Sequence, residues 1–212
     1  SSNGVTQSIK IEMTGGLVSG ISVSPSSVSV KSDNSDSTTI TATALDANNA
    51  ALKDTTISFK ASSGTLSAPT AVTDEKGQAS VTFSCGNLES SNRTSTITAF
   101  AGSVSTPISI QITGTTLELE TDFQNLEISA AAINARTDSD KAILTIVAKD
   151  AGDKRISDAN ITVSVDPSST GNVILSPTNG YTDSTGQLLV EVTGKEKGNV
   201  LVKVEGLGYS AT

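Results

Sequence analysis

The chain has 212 residues, of which 62 are serine or threonine, and it carries a formal net charge of −8. It contains no histidine and a single cysteine, so it cannot by itself build a Ser-His-Asp or Cys-His catalytic arrangement, a histidine-ligated metal site or an internal disulfide. The acidic balance argues against nucleic-acid binding, which needs clustered Lys and Arg. No apolar run approaches the roughly 18 residues of a membrane helix, so no membrane insertion is expected within this segment.

Apolar and polar residues alternate along most of the chain, a period of two that predicts half-buried β-strands. The polar partners are mostly Ser and Thr, and Thr favours an extended backbone because it is β-branched. The stretch Leu126–Ala135 could form a short helix, but we interpret it as strand or loop. The predicted fold is therefore all-β. In chain order, the alternating sets are Ile9, Ile11 and Met13; Ile21 and Val23; Val28 and Val30; Ile57 and Phe59; Val81, Phe83 and Cys85; Ile108, Ile110 and Ile112; Ile161, Val163 and Val165; and Val200, Val202 and Val204.

The chain also contains an internal repeat of about 100 residues, the signature of a tandem architecture. Residues from Asp46 onward match residues from Asp150 onward at an offset of 104. The segment 73–78 matches 182–187 at an offset of 109, which places a longer loop between Asp166 and Asn179. Further along, Ile97 and Ala99 are aligned with Val200 and Val202 at an offset of 103.

The repeat suggests where the domains begin and end. Residues 9–15 match residues 108–114 at an offset of 99. We therefore expect residues 1–16 to be the last strand of a preceding domain and residues 17–114 to form one β-rich domain. Residues 115–212 are expected to form a second domain that lacks its last strand.

The first copy resembles bacterial Ig-like domain group 1, the repeat of the intimin and invasin surface proteins. The resemblance covers roughly residues 20–212, and the Thr-Asp-x-x-Gly-Gln element occurs in both copies. The second copy departs from the pattern at Asn172–Leu175, where the first has Gly64–Leu66. The residues that carry the resemblance are Asp46, Leu52, Asp54, Thr56–Phe59, Gly64–Leu66 and Thr73–Ala79, then Asp150, Ile156, Asp158, Ile161–Val163 and Thr182–Gln187.

The resemblance implies tandem immunoglobulin-like β-sandwiches arranged end to end, exposed on the bacterial cell surface at the outer membrane. It further implies a stalk that carries an adhesive tip outside this segment. The implied partners are neighbouring Ig-like repeats of the same chain and, through other domains, a host-cell receptor or glycan. Because short connectors between repeats limit swivelling, a semi-rigid spacer is expected.

Oxygen-rich turns offer the only candidate metal ligands. Asp46, Asp150 and Asp153 lie in turns and could bind calcium through their carboxylates, although Asp is also simply a good turn residue. Asp122, Asp138 and Asp140 are further calcium candidates nearer the interdomain region. No other cofactor is expected.

The remaining candidate residues are expected to be structural. Asp74 and Asp183 precede glycines in matched hairpins, and Asp54 and Asp158 are expected to cap turns. Cys85 continues an inward-facing alternation, so we expect a buried, inert thiol rather than a reactive one.

Three functions remain open, and no catalytic residue is predicted for any of them. The first is a non-catalytic structural stalk segment that spaces a distal adhesive domain from the outer membrane. The second is a binding module that contacts a host receptor, a glycan or another adhesin chain, for which the loop Asp166–Asn179 is the feature to examine. The third is a set of accessory domains of an exported polysaccharide-active enzyme.

Overall fold

The computed structural model describes residues 17–87, 89–121, 141–196 and 198–211, and within these ranges the regular structure consists of strands. This confirms the all-β prediction. The alternating set at residues 9–13, the stretch Leu126–Ala135 and the acidic candidates Asp122, Asp138 and Asp140 lie outside the described residues.

The first half of the chain forms two facing sheets, which we call the first sandwich (residues 20–113). One sheet has the order β1-β3-β7-β5, and the other has the order β2-β9-β8-β4-β6, with β2 parallel to β9. The strands are β1 (Gly20–Pro25), β2 (Ser29–Lys31), β3 (Thr38–Leu45), β4 (Thr56–Ala61), β5 (Thr65–Leu66), β6 (Thr70–Val72), β7 (Gln78–Ser84), β8 (Arg93–Ala101) and β9 (Val104–Thr113).

The second half repeats this arrangement in the second sandwich (residues 116–211). Its sheets have the orders β10-β11-β15-β13 and β14-β12-β16-β17. The first of these orders matches β1-β3-β7-β5 strand for strand. The strands are β10 (Thr116–Thr121), β11 (Lys141–Lys149), β12 (Asn160–Val165), β13 (Asn172–Ser176), β14 (Asn179–Tyr181), β15 (Gln187–Glu196), β16 (Val202–Gly206) and β17 (Tyr209–Ala211).

Each sandwich has its own hydrophobic core, built from the inward-facing residues of both its sheets. The alternation of buried and exposed residues along β4, β7 and β12 is the one that the sequence predicts. Val28 departs from the predicted burial. It precedes β2 and is 67% exposed, whereas Val30 within the strand is 2% exposed.

Strand pairing corrects one part of the repeat alignment. Ala99 lies opposite Phe59, and Val204 lies opposite Val163. Ala99 therefore corresponds to Val204, at an offset of 105, and the alignment of Ala99 with Val202 is wrong. A slip of two residues keeps every side chain on the same face of a strand, so alternation alone cannot detect it.

The extra residues of the second copy lengthen a strand pair. Within Asp166–Asn179 the chain forms β13, which has five residues where β5 has two, and β15 has ten residues where β7 has seven. The segment interpreted as a longer loop therefore contains a five-residue strand, which extends the sheet.

Candidate functional site at the joint between the two sandwiches

Two matched hairpin turns show how the recurrent acidic residues are used. The Asp74 carboxylate accepts the N–H groups of Lys76 and Gln78 at 2.8 and 2.9 Å. In the second sandwich, Asp183 accepts those of Thr185 and Gln187 at 2.8 and 3.1 Å. These hydrogen bonds stabilise the ionised form and lower the pKa of both carboxyl groups, for Asp183 chiefly through the Thr185 hydroxyl. The turn role predicted for both residues is confirmed.

A buried threonine precedes each of these turns and braces the neighbouring loop. The Thr73 hydroxyl donates to the Leu52 carbonyl at 2.6 Å and accepts the Thr55 N–H at 2.9 Å. The Thr182 hydroxyl makes the matched pair of contacts in the second sandwich, at 2.7 and 2.9 Å. The Thr-Asp-x-x-Gly-Gln element is therefore a structural unit that ties two loops together at the same end of each sandwich.

Asp54 and Asp158 occupy matched turns with left-handed backbone, both with φ of 56°. Each donates its own N–H to the carbonyl of the bracing threonine, at 3.0 and 2.9 Å. Their predicted place in turns is confirmed, and the contact runs through their backbone.

The calcium candidates lie in two matched loop tips, where backbone N–H groups already occupy one carboxylate oxygen of Asp46 and of Asp150. Asp46 Oδ1 accepts the N–H groups of Asn48 and Ala50, both at 2.8 Å. Asp150 Oδ1 makes the matched contacts at 3.0 Å each, and Asp153 takes the left-handed position of the tip, with φ of 62°. Among the described residues, no three His, Cys, Asp or Glu side chains gather into a possible metal site. Calcium binding by Asp46, Asp150 or Asp153 stays a prediction.

A cavity of about 270 Å³ lies beside the single cysteine. Cys85 is 2% exposed, which confirms that it is buried. Arg93 lines the cavity, and its guanidinium donates to the carbonyls of Glu89, Ser91 and Cys85 at 2.8, 3.0 and 3.2 Å. The arginine therefore fastens the loop between β7 and β8, and its donors are turned to protein acceptors.

The same loop supplies a clamp between the two sandwiches. Asn92 donates its side-chain N–H to the Thr115 carbonyl at 2.8 Å and accepts the Thr115 N–H at 3.0 Å. Its backbone N–H donates to the Leu207 carbonyl, in the β16–β17 hairpin, at 2.9 Å. The Thr115 hydroxyl donates to the Ser90 carbonyl. Of the two connector residues, Thr115 is 1% exposed and enclosed by protein, whereas Gly114 is exposed.

A second set of contacts lies beside this clamp. The Ala151 N–H, at the tip between β11 and β12, donates to the Ser32 hydroxyl at 3.2 Å. Ser32 is 1% exposed although it belongs to a loop. Gly152, in the same tip, approaches Asp33 so closely that a Cβ there would lie 2.9 Å from Oδ2 of Asp33. We call the region formed by Ser32, Asp33, Asn92, Thr115, Ala151, Gly152, Leu207 and Gly208 the joint.

Of the residues singled out from the sequence, Asp150 lies next to the joint, where its carboxylate accepts the Gly152 N–H, whereas Asp46, Asp74 and Asp183 lie in other turns. Sequence reasoning did not find Asn92, Ser32 or Gly208 as joint residues. They sit in loops, where no periodic signal exists, and their contacts reach across the chain to Thr115, Ala151 and Leu207. The described residues contain no helix that is long and apolar enough to span a membrane.

These features define a class of protein: β-sandwiches of one topology, repeated along a chain and joined through a two-residue connector. Residues 20–113 match the family described as bacterial Ig-like domain (group 1), the family that the resemblance named. Among curated proteins, none matches the chain.

Several solved structures resemble this chain. The Yersinia pseudotuberculosis adhesin InvE is 20% identical with a TM-score of 0.56, over 90% of this chain and 56% of that one. The D0–D1 domain of intimin is 23% identical with a TM-score of 0.39, over 90% of this chain and 91% of that one. The Escherichia coli adhesin FdeC is 19% identical with a TM-score of 0.41, over 89% and 60%. The likeness to InvE shows the Ig-like fold, and this chain spans just over half of the InvE chain.

Proposed function

We propose that this segment is a non-catalytic spacer of a bacterial surface adhesin of intimin/invasin type, which holds a distal adhesive domain away from the outer membrane. In this proposal residues 17–114 and 115–212 are successive domains of a longer array. The match of residues 20–113 to the bacterial Ig-like domain family supports a role in a surface adhesin.

The joint is the observation that carries the proposal. Only Gly114 and Thr115 separate β9 from β10, and the second of these is buried and held by Asn92 on both its backbone groups. A two-residue connector with one buried, hydrogen-bonded residue restricts rotation of one sandwich relative to the other. A segment that must transmit distance and direction needs such a connection.

The outer face of β3 and β7 in the first sandwich fits the same role. The outward positions of β3 and β7 carry hydroxyl side chains such as Thr39, Thr41, Ser80 and Thr82, and Thr41 and Ser80 hydrogen-bond across the strands at 2.9 Å. A sheet face without large apolar side chains resists association with other chains. The net charge of −8 adds to that resistance.

The test separates length from surface. In the bacterium that makes the intact protein, residues 20–113 are deleted, or replaced by an unrelated β-sandwich of similar length. We expect deletion to lower adherence to host cells and replacement to restore it. If replacement fails as completely as deletion while surface display is equal, the spacer proposal is wrong.

A second candidate function, a binding module for a host receptor, a glycan or another adhesin chain, is favoured by one observation. The outer face of β11, β13 and β15 exposes Ile143, Ile174 and Leu189 at 36%, 43% and 56%. Exposed apolar residues grouped on one face are typical of interaction surfaces. Replacing Ile174 and Leu189 by polar residues tests it, as described in the Discussion.

A further inference from the structure

The end of the first sandwich that meets the second is shaped around two glycines of its neighbour. We propose that the surface formed by Ser32, Asp33 and Asn92 accepts a following Ig-like domain only where that domain has glycine at the position of Gly208 and at most a small side chain at the position of Gly152. These two residues would then determine which domain can follow this one. The inference rests on the proposed tandem array for its biological meaning, but the joint itself can be measured without it.

Gly208 makes the closest approach in the joint. A Cβ built on Gly208 would lie 2.2 Å from the Asn92 carbonyl oxygen and 3.0 Å from its carbonyl carbon. Both atoms belong to the backbone, which the Asn92 N–H contact to Leu207 holds in place. Since neither partner can swing aside as a flexible side chain would, any residue larger than glycine must push the hairpin away from the first sandwich.

Gly152 sets a second, milder limit. Its Cβ would lie 2.9 Å from Asp33 Oδ2 and 3.4 Å from Asp33 Cβ. Because a carboxylate can rotate, a single added carbon is tolerable here, whereas a longer side chain would fill the space between the tip and the surface. The neighbouring Ala151–Ser32 hydrogen bond, at 3.2 Å, depends on the same close contact.

At its own opposite end, the first sandwich has turns at the positions that match the Gly152 tip and the β16–β17 hairpin. These matching turns allow an internal comparison. The tip Asp46–Asn49 has the backbone hydrogen bonds of Asp150–Asp153, at 2.9 and 3.1 Å in both, so Asn48 matches Gly152. In the β8–β9 hairpin, Ala101 pairs with Val104 as Gly206 pairs with Tyr209, so Ser103 matches Gly208.

Both joint glycines are therefore replaced by residues with side chains in the first sandwich. The β8–β9 turn also differs in backbone, because Gly208 has a φ of 70° and Ser103 does not have a positive φ. With the Asp46–Asn49 tip in its observed geometry, a second copy of the first sandwich would bring the Asn48 side chain against Asp33. The surface therefore favours the second sandwich over a second copy of the first.

The test uses the whole 212-residue chain and residual dipolar couplings, which report the orientation and relative motion of the two sandwiches from backbone amides. The wild-type chain is expected to give a single alignment tensor shared by both sandwiches. Gly208→Asn adds a side chain while tolerating the left-handed backbone at this position, φ 70°. We expect this variant to lose the shared tensor, and the double variant Gly152→Asn/Gly208→Asn to lose it further.

The matched control is Ser103→Asn, the same change at the equivalent hairpin of the first sandwich, which should leave the shared tensor unchanged. Asn92→Ala removes the clamp without adding any atom, and should also loosen the joint. Unchanged amide shifts within each sandwich, away from the joint, verify that every variant is folded.

A shared tensor retained in both Gly208→Asn and the double variant would overturn the proposal. Two separate tensors in the wild-type chain would overturn it as well, yet would leave a flexible spacer possible. Loss of adherence that no replacement domain restores would overturn the spacer role without affecting the joint.

Discussion

The two sandwiches keep one framework and fill it in different ways. In the first, the buried neighbours Ala42 and Ala79 lie opposite each other on β3 and β7. The matched pair in the second sandwich is Ile146 and Leu188. At this pair of positions the first core therefore holds small side chains and the second core holds large ones.

Elsewhere the difference is reversed. Phe59 and Phe83 are buried in the first core, and Val163 and Val192 take their places in the second. Because protein interiors are close-packed, volume lost at one position must be regained at another. The comparison teaches that the loop-bracing threonines and aspartates define the shared fold, while the core residues vary as compensating sets.

Core substitution should give the largest effect on stability. We expect Phe59→Val alone to cost up to about 3 kcal/mol, somewhat below the range for removing a whole aromatic side chain, because it leaves a cavity. Ala99 lies directly opposite Phe59. The double variant Phe59→Val/Ala99→Val installs the pair that the second sandwich uses, Val163 and Val204, and should recover part of that loss.

Urea unfolding followed by amide resonances of each sandwich measures these costs separately. The control is the second sandwich within the same molecule, whose midpoint should not move. A double variant less stable than Phe59→Val would contradict compensation between the two cores.

Removing the shared bracing hydroxyls should have the next largest effect, and an equal one in the two sandwiches. Thr73→Val leaves the Thr55 N–H and the Leu52 carbonyl without their partner. Thr182→Val does the same in the second copy. Each change should cost about 1–3 kcal/mol, because a buried polar group loses its hydrogen bond.

Amide hydrogen exchange at Thr55 and Ala159 offers a direct measurement, since both N–H groups should become less protected. Thr39→Val, at an exposed outward position of β3, is the matched control with little expected change. Unequal costs at Thr73 and Thr182 would show that the two loop braces are not equivalent.

The matched hairpin aspartates should produce a smaller effect that depends on pH. Hydrogen bonds lower the pKa of Asp74 and Asp183 below the ordinary 3.8 in the folded state. Their stabilisation is therefore complete above the unfolded pKa and is lost as the pH falls through the lower, folded pKa. Asp74→Asn/Asp183→Asn should reduce the loss of stability between about pH 5 and about pH 2.

Urea midpoints measured across that range give the comparison. Asp33 and Asp166 also have lowered pKa values and remain in the variant, so the acid dependence should shrink without vanishing. An acid dependence identical to that of the wild type would exclude a role for these turns in it.

Much of the fold could be predicted because side chains alternate along a strand. Buried Ile161 and Val163 follow that rule, and so do Val81 and Phe83. The same rule explains the error at β16, where Val200, Val202 and Val204 alternate and an alignment shifted by two residues looks equally good. Turn residues such as Asp74 and Asp183 were predictable because their local hydrogen bonds reach only four residues along the chain.

The joint could not be predicted in the same way. Asn92 hydrogen-bonds to Thr115, which lies 23 positions away, and the hydrogen bond from Ala151 to Ser32 spans 119 positions. Neither contact leaves a local pattern, since both depend on where two separately folded sandwiches place their loops. Contacts of this kind follow from tertiary structure and not from periodicity or turn propensity.

The smallest effect on stability, and the most informative about function, is expected on the outer face of the second sandwich. By strand register, Ile174 and Leu189 occupy the places of Thr65 and Ser80 in the first sandwich. Ile174→Thr/Leu189→Ser would give the second face the side chains of the first. Because both residues are exposed, we expect the free energy of unfolding to change by no more than about 0.5 kcal/mol.

Adherence of bacteria that display the intact protein then separates the two candidate functions. A spacer needs only the length and the joint, so unchanged adherence at equal surface display is expected. The converse variant Thr65→Ile/Ser80→Leu, which places the apolar pair on the first sandwich, controls for nonspecific stickiness. Loss of adherence in Ile174→Thr/Leu189→Ser, with stability retained and no gain in the converse variant, would contradict a pure spacer. That result would assign binding to the outer face of β13 and β15, because the variant changes only two exposed side chains on that face.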